Sequence, residues 1–195
     1  MNGVVKTGKV LTTTREVARD HQHDLIVIGL GGEADLKKVL YGSITNNLLM
    51  TSNIPVLAVS KHIEYNTLKT MLFATDMRDE DLEYIRTMRE FCLDIGVRLK
   101  LVHIAEEHTQ PDPDRLRNFN EQFQSIIKNG QAEVIVHHAD TFTDGITDYI
   151  GDDKHTLLVM TRYKKKFWEW LLSNSTVKSI AQMASVPLLM LPADG

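Results

Sequence analysis

Apolar residues recur along this chain in two rhythms. Short unbroken runs read as buried parallel strands, and stretches where apolar positions return every three or four residues read as amphipathic helices. Residues 25–30 form such an unbroken run, and strands are also expected at 56–59, 69–75, 97–104, 132–138, 156–161 and 187–191, with a further plausible strand at 4–11. Helical spacing marks 12–21, 43–52, 78–95, 112–128, 142–150 and 175–184. In 78–95 the stripe is Leu82, Ile85, Met88 and Cys92, and Gly96 stops it. In 112–128 it is Leu116, Phe119, Phe123, Ile126 and Ile127. Ser43 stands as a natural N-cap before Ile44, Leu48 and Leu49. Strands alternating with helices predict a three-layer α/β sandwich with a parallel, Rossmann-like sheet covered on both faces.

The pattern also repeats. Shifted by 132 positions, residues 25–28 fall on 157–160, Ser43 on Ser175, Leu48 on Ile180, and residues 54–59 on 186–191. Pro55 lands on Pro187, and no gap is needed from residue 24 to residue 60. Apolar runs align by chance easily, but a matched Pro and a matched Ser in one gapless frame do not. The chain therefore divides into residues 1–62, holding the last elements of one unit, and 63–195, holding a complete second unit. The first unit lacks its opening βαβα stretch. That deficit predicts an open sheet edge and an uncovered face, so the first part should lean on the second part or on another copy.

Composition narrows the class. Charged residues make up 25% and apolar residues 43%, which excludes a disordered chain. The net charge of −4 offers no basis for nucleic acid or an anionic membrane as the main partner. No apolar run approaches the roughly 20 residues that span a bilayer, and the N-terminal residues lack the apolar core of a signal peptide. A single cysteine, Cys92, rules out a disulfide within the chain and suits a reducing, cytoplasmic setting. Its place in a helical stripe reads as a buried thiol.

The sharpest chemical signal is Gly29-x2-Gly32-x9-Gly42-Ser43, set between the strand at 25–30 and the helix at 43–52. Glycines permit close backbone approach, and a serine at a helix N-terminus can cap the helix and donate to a phosphate oxygen. The structural alternative is a tight strand–helix connection that needs glycines for geometry alone. With its flanks, DLIVIG before and IPVLAV after, the segment resembles the C-terminal third of a universal stress protein domain. The resemblance covers residues 4–60 as a partial domain and 67–193 as a whole one, like the tandem members of that family. It implies a strand order of 3-2-1-4-5 and ATP, with Mg²⁺, as the ligand of the glycine loop. It also implies association through the last strands, 56–59 and 188–191, within one chain or between two.

The resemblance further implies an acidic residue after the first strand of each unit. In the second part Asp76 holds that position, after MLFAT, with helix capping as its alternative role. The second loop departs from the signature: Thr161, Lys164 and Asn174 stand where glycines are expected, and only Ser175 matches. Each part thus carries part of a nucleotide site. The segment 164–170 (KKKFWEW) joins three lysines to two tryptophans and reads as an interaction surface rather than a nucleic-acid patch. His103, His137, His138 and Asp140 fit no metal-ligand spacing. No nucleophile–base set is legible. The expected function is a stress-response, nucleotide-binding or formerly nucleotide-binding protein without strong catalytic machinery. The alternatives are an interaction module using 164–170 and an adenine-nucleotide hydrolysing or adenylating enzyme, for which Lys164 is the sole candidate.

Overall fold

A computed structural model describes residues 3–30, 43–60, 68–106, 113–126, 132–162 and 186–192. In chain order the elements are α1 (Val10–Asp20), β1 (Ile26–Leu30), α2 (Ser43–Thr51), β2 (Val56–Ser60), β3 (Thr70–Ala74) and α3 (Asp79–Ile95). They continue with β4 (Arg98–Glu106), α4 (Pro113–Ile126), β5 (Ala132–Ala139), α5 (Phe142–Ile150), β6 (Thr156–Thr161) and β7 (Leu188–Leu191). The predicted helix at 175–184 lies outside the described residues.

Seven strands form one sheet in the order β1-β2-β7-β6-β3-β4-β5. Within the second part this is the expected 3-2-1-4-5 order. All neighbours are parallel except β2 and β7, which run antiparallel. Their register sets Leu57 opposite Leu189, flanked by Val56 with Met190 and Ala58 with Leu188. Leu57 and Leu189 are the residues that the 132-position shift aligns. The last strands therefore meet inside the chain, around an approximate twofold normal to the sheet.

Strand periodicity of two sends alternate side chains to opposite faces. One face carries Leu72, Ala74, Leu158 and Met160 with Ile26, Val56 and Ala58 from the first part, packed with Ala18, Leu48, Leu49, Ile146 and Ile150. That core is continuous across the β2–β7 junction, and Arg162 Nη1 donates to the Ser52 carbonyl at 2.9 Å. The first part does lean on the second. The other face carries Met71, Phe73, Leu157 and Val159 beneath Leu82, Ile85 and Cys92 of α3 and Phe119 and Phe123 of α4. Each fully buried side chain of this size contributes about 1.5–3 kcal/mol.

Local signals set the ends. Gly96 adopts φ 69°, which lets the Val97 N–H return to the Cys92 carbonyl at 2.9 Å and closes α3. Thr141 caps α5 by accepting from the Asp144 N–H at 3.2 Å. One expectation fails. Residues 4–11 form no strand: 3–9 are irregular, Val10 begins α1, and Val4 and Val5 are exposed. The shift of 132 explains this. Val10 corresponds to Phe142, so residues 3–7 correspond to the end of β5. Strand β5 is held by an eight-residue register with β4, and among the described residues no strand pairs with residues 3–7.

Candidate functional site

Two sites follow from the sheet order, both at C-terminal ends of strands. Strand β3 has β4 on one side and β6 on the other, so the chain reverses its direction of winding between β3 and β6. Open α/β sheets bind ligands at such a switch point. Asp76 follows β3, and Thr161 ends β6. The second site is the C-terminal end of β1, where Gly29 lies in the strand opposite Val59 and α2 begins at Ser43.

At the switch point the polar groups converge on Asp81, in the first turn of α3. It is 1% exposed. Its Oδ2 accepts from Thr75 Oγ1 at 2.7 Å and from the Asp76 N–H at 3.2 Å, and its Oδ1 accepts from Thr161 Oγ1 at 3.4 Å. Thr75 Oγ1 in turn accepts from the Met77 N–H at 2.8 Å. Met77 is buried at φ 57°, a left-handed conformation that costs a non-glycine residue about 1–3 kcal/mol and persists only where its surroundings hold it. One carboxylate thus ties the end of β3 to the end of β6 and fixes the strained turn between β3 and α3. His103 on β4 adds a contact from Nδ1 to the Thr75 carbonyl at 3.0 Å.

Asp76 itself is half-buried, with its carboxylate 4.0 Å from Arg78 Nε. At that exposure the pair contributes little. It does not cap α3: the N-cap is Arg78, with no side-chain capping bond. Asp81 was missed because an acidic residue beside Asp79 and Glu80 looks like a solvated first turn. Only the helical spacing of Asp81 next to Leu82 and Ile85 hinted that it faces inward.

At the first site, a Cβ built on Gly29 meets no atom within 4 Å, and Gly29 has no positive φ. Neither packing among the described residues nor backbone strain demands glycine there. Gly32 and Gly42 lie outside the described residues, as do Lys164, Asn174, Ser175 and the 164–170 segment. The residue corresponding to Gly29 is Thr161, whose hydroxyl is taken up by Asp81. The structure does not bring Asp76 and Gly29 together. Between β1 and β3 stand β2, β7 and β6, about 19 Å in all. Because β2 and β7 are antiparallel, the two C-terminal ends also point to opposite edges of the sheet.

Cys92 is 2% exposed, with its thiol 3.5 Å from Met71 Sδ, and burial pushes its pKa up to about 11. It belongs to the core. Among the described residues no group of three or more His, Cys, Asp or Glu side chains is set to hold a metal. No described helix is long and apolar enough to cross a membrane.

Residues 3–60 match the model of the universal stress protein family. A universal stress protein of Methanocaldococcus jannaschii is 41% identical over 46 residues, which are 24% of this chain and 28% of that protein. A universal stress protein structure from Archaeoglobus fulgidus superposes with a TM-score of 0.63 at 21% identity, over 91% of this chain and 64% of that one. A protein of unknown function from Pseudomonas aeruginosa gives 0.65 at 15% identity, over 95% of this chain and 69% of its own. The two structures share the fold. This chain spans less than two thirds of the archaeal structure and under a third of the curated relative.

Proposed function

We propose that this chain, which belongs to the universal stress protein family through its residues 3–60, binds a nucleotide at the loop from Gly29 to Ser43. ATP with Mg²⁺ is the ligand that the glycine spacing favours. The observation that carries this reading is the open space at Gly29 among the described residues. A glycine with ordinary φ and no described atom packed where its Cβ would be is suited to backbone approach by a ligand. The start of α2 at Ser43 adds the N-terminal end of a helix, whose N–H groups and dipole favour anions. Gly32, Gly42 and Ser43 would line the phosphates, and Ser43 would donate to one of them.

We read the second part as a complete unit whose own crevice is closed. Thr161 stands in place of the first glycine, and Asp81 spans the crevice with its carboxylate. A buried anion there disfavours a phosphate. Asp76 and Ser175 then serve as remnants rather than ligands. On this reading the chain is one and a half family units, 1–62 and 63–195, joined at the β2–β7 pair.

Isothermal calorimetry of the full chain with Mg-ATP tests the assignment. One nucleotide per chain is expected, and Gly32→Glu abolishes binding with the circular dichroism spectrum unchanged. Binding that survives Gly32→Glu overturns the loop assignment.

A further inference from the structure

A pocket of about 470 Å³ lies at the far end of α2 from Ser43, between α1 and the turn that leads into β2. The nine residues of α2 set its two ends about 12 Å apart. Apolar lining comes from Ala18 on α1, Ile26 on β1 and Ile54. Charge comes from Arg15, Glu16 and Arg19, all on α1. The wall at 52–54 is fixed by its own hydrogen bonds. Ser52 Oγ donates to the Ile54 carbonyl at 2.7 Å and accepts from the Ile54 N–H at 3.1 Å. Arg162 holds the Ser52 carbonyl from the second part. A wall already in place lowers the ordering cost of binding.

Arg15 is the residue out of balance. It is half-buried, yet it enters no ion pair among the described residues. Its Nε is buried without a hydrogen-bond partner among them. Its Nη2 reaches the Asn47 carbonyl only at 3.4 Å, long for a hydrogen bond. Cations taken out of water are ordinarily paired. Arg19 differs, since its Nε and Nη2 donate to Asp20 Oδ1 at 3.3 and 3.2 Å. The fold itself does not require a cation at position 15. Shifted by 132, Arg15 and Arg19 fall on Thr147 and Gly151. Thr147 is 5% exposed, so the same helix position packs there without charge.

We propose that this pocket binds a small organic monocarboxylate. Its carboxylate lies on the terminal nitrogens of Arg15, and its apolar body lies against Ala18, Ile26 and Ile54. The planar guanidinium matches a carboxylate in shape as well as charge. Charge balance selects a monoanion. Asp20 neutralises Arg19, which leaves Arg15 as the unmatched cation, and Glu16 lines the same pocket as an anion. A phosphate dianion would exceed the charge of Arg15 and be repelled by Glu16. The volume falls within the roughly 300–1,000 Å³ of small-molecule sites.

The test titrates the full chain, without nucleotide, with benzoate and with hexanoate, and follows amide and arginine Nε–H resonances by NMR. Saturable shifts are expected at Arg15, Ala18, Ile26 and Ile54. Benzamide keeps the ring and loses the charge, and should bind about tenfold more weakly or less. Inorganic phosphate should give no saturable shift at these residues. Arg15→Met should abolish the benzoate response. Arg15→Lys keeps the charge without the planar fork and should weaken binding about tenfold. Thr12→Phe, at an exposed position lining the pocket, narrows it and should also weaken binding, which keeps the test open if Arg15→Met fails to fold. The proposal is overturned if neither carboxylate shifts these residues, or if Arg15→Lys and Thr12→Phe bind like the wild type. Benzamide or phosphate binding as tightly as benzoate overturns it too, by removing the carboxylate from the recognition. With no nucleotide present and Ser43 at the other end of α2, failure here is separate from failure of the loop assignment.

Discussion

Two valines 132 positions apart show how this molecule is built. Val159 on β6 is fully buried, while Val27 on β1 is 59% exposed. The strands are alike: each is apolar, and each donates to a proline carbonyl on its inner neighbour. What differs is the surroundings. Strand β6 has β3 at its outer edge and α3 over its odd-numbered side chains. Among the described residues β1 has neither. An apolar run therefore encodes a strand, but its burial is set by partners that other segments must provide.

Substitutions at matched positions break or sharpen this contrast. The largest gap is expected for leucine truncation. Leu157→Ala should cost about 3 kcal/mol in urea unfolding, because the cavity opens beneath α3. Leu25→Ala should stay within about 0.5 kcal/mol, as for other exposed sites. Equal costs would mean that the outer face of β1 is covered after all. Next comes Asp81→Ala, which strips partners from the Thr75 hydroxyl, the Asp76 N–H and the Thr161 hydroxyl. About 2–3 kcal/mol should be lost, and the ends of β3 and β6 should show it first, as faster amide exchange at Asp76 and Met77.

A smaller effect is expected where the helices meet the sheet. Gly145 in α5 sits so close to β4 that an added Cβ would lie 2.6 Å from Ile104 Cγ2. Its counterpart in α1 is Thr13, which lines an open cleft with no described strand beneath it. Gly145→Thr should cost about 1–3 kcal/mol by overpacking. Thr13→Gly should cost less than about 1 kcal/mol, a matter of helix propensity alone. Thermal unfolding of the two variants reads the difference directly.

The smallest effect reports on α3. Burial raises the Cys92 pKa from 9.0 to about 11. The unfolded chain therefore releases this proton at a lower pH than the folded one. Stability tied to the retained proton is full below about pH 9 and is lost as pH rises through 11. Urea midpoints should fall more steeply over that window in the wild type than in Cys92→Ala. A matching slope would mean that the thiol is already ionisable and α3 loosely docked.

Much of this was legible from residue order. Alternation of apolar runs and helical stripes placed the described strands and helices of the second part to within a few residues, because buried parallel strands leave little ambiguity. The resemblance to universal stress proteins anticipated the meeting of residues 56–59 with 188–191. Residues 4–11 misled because their pattern is that of a strand whose neighbour is absent, and a strand does not persist on pattern alone. Asp81 was illegible for a different reason. Nothing in DED at 79–81 tells which carboxylate turns inward until Thr75 and Thr161, 86 residues apart, are brought to one edge by the sheet.

Hydrogen exchange resolved by residue tests the central claim most directly: among the described residues β1 is an open edge of the sheet, and β6 is paired on both sides. In the full chain the amides of Val27 and Gly29 should exchange orders of magnitude faster than those of Ile26 and Ile28 within the same strand, and faster than those of Leu157 and Val159. Strong protection at Val27 and Gly29, equal to that at Leu157 and Val159, would contradict the account.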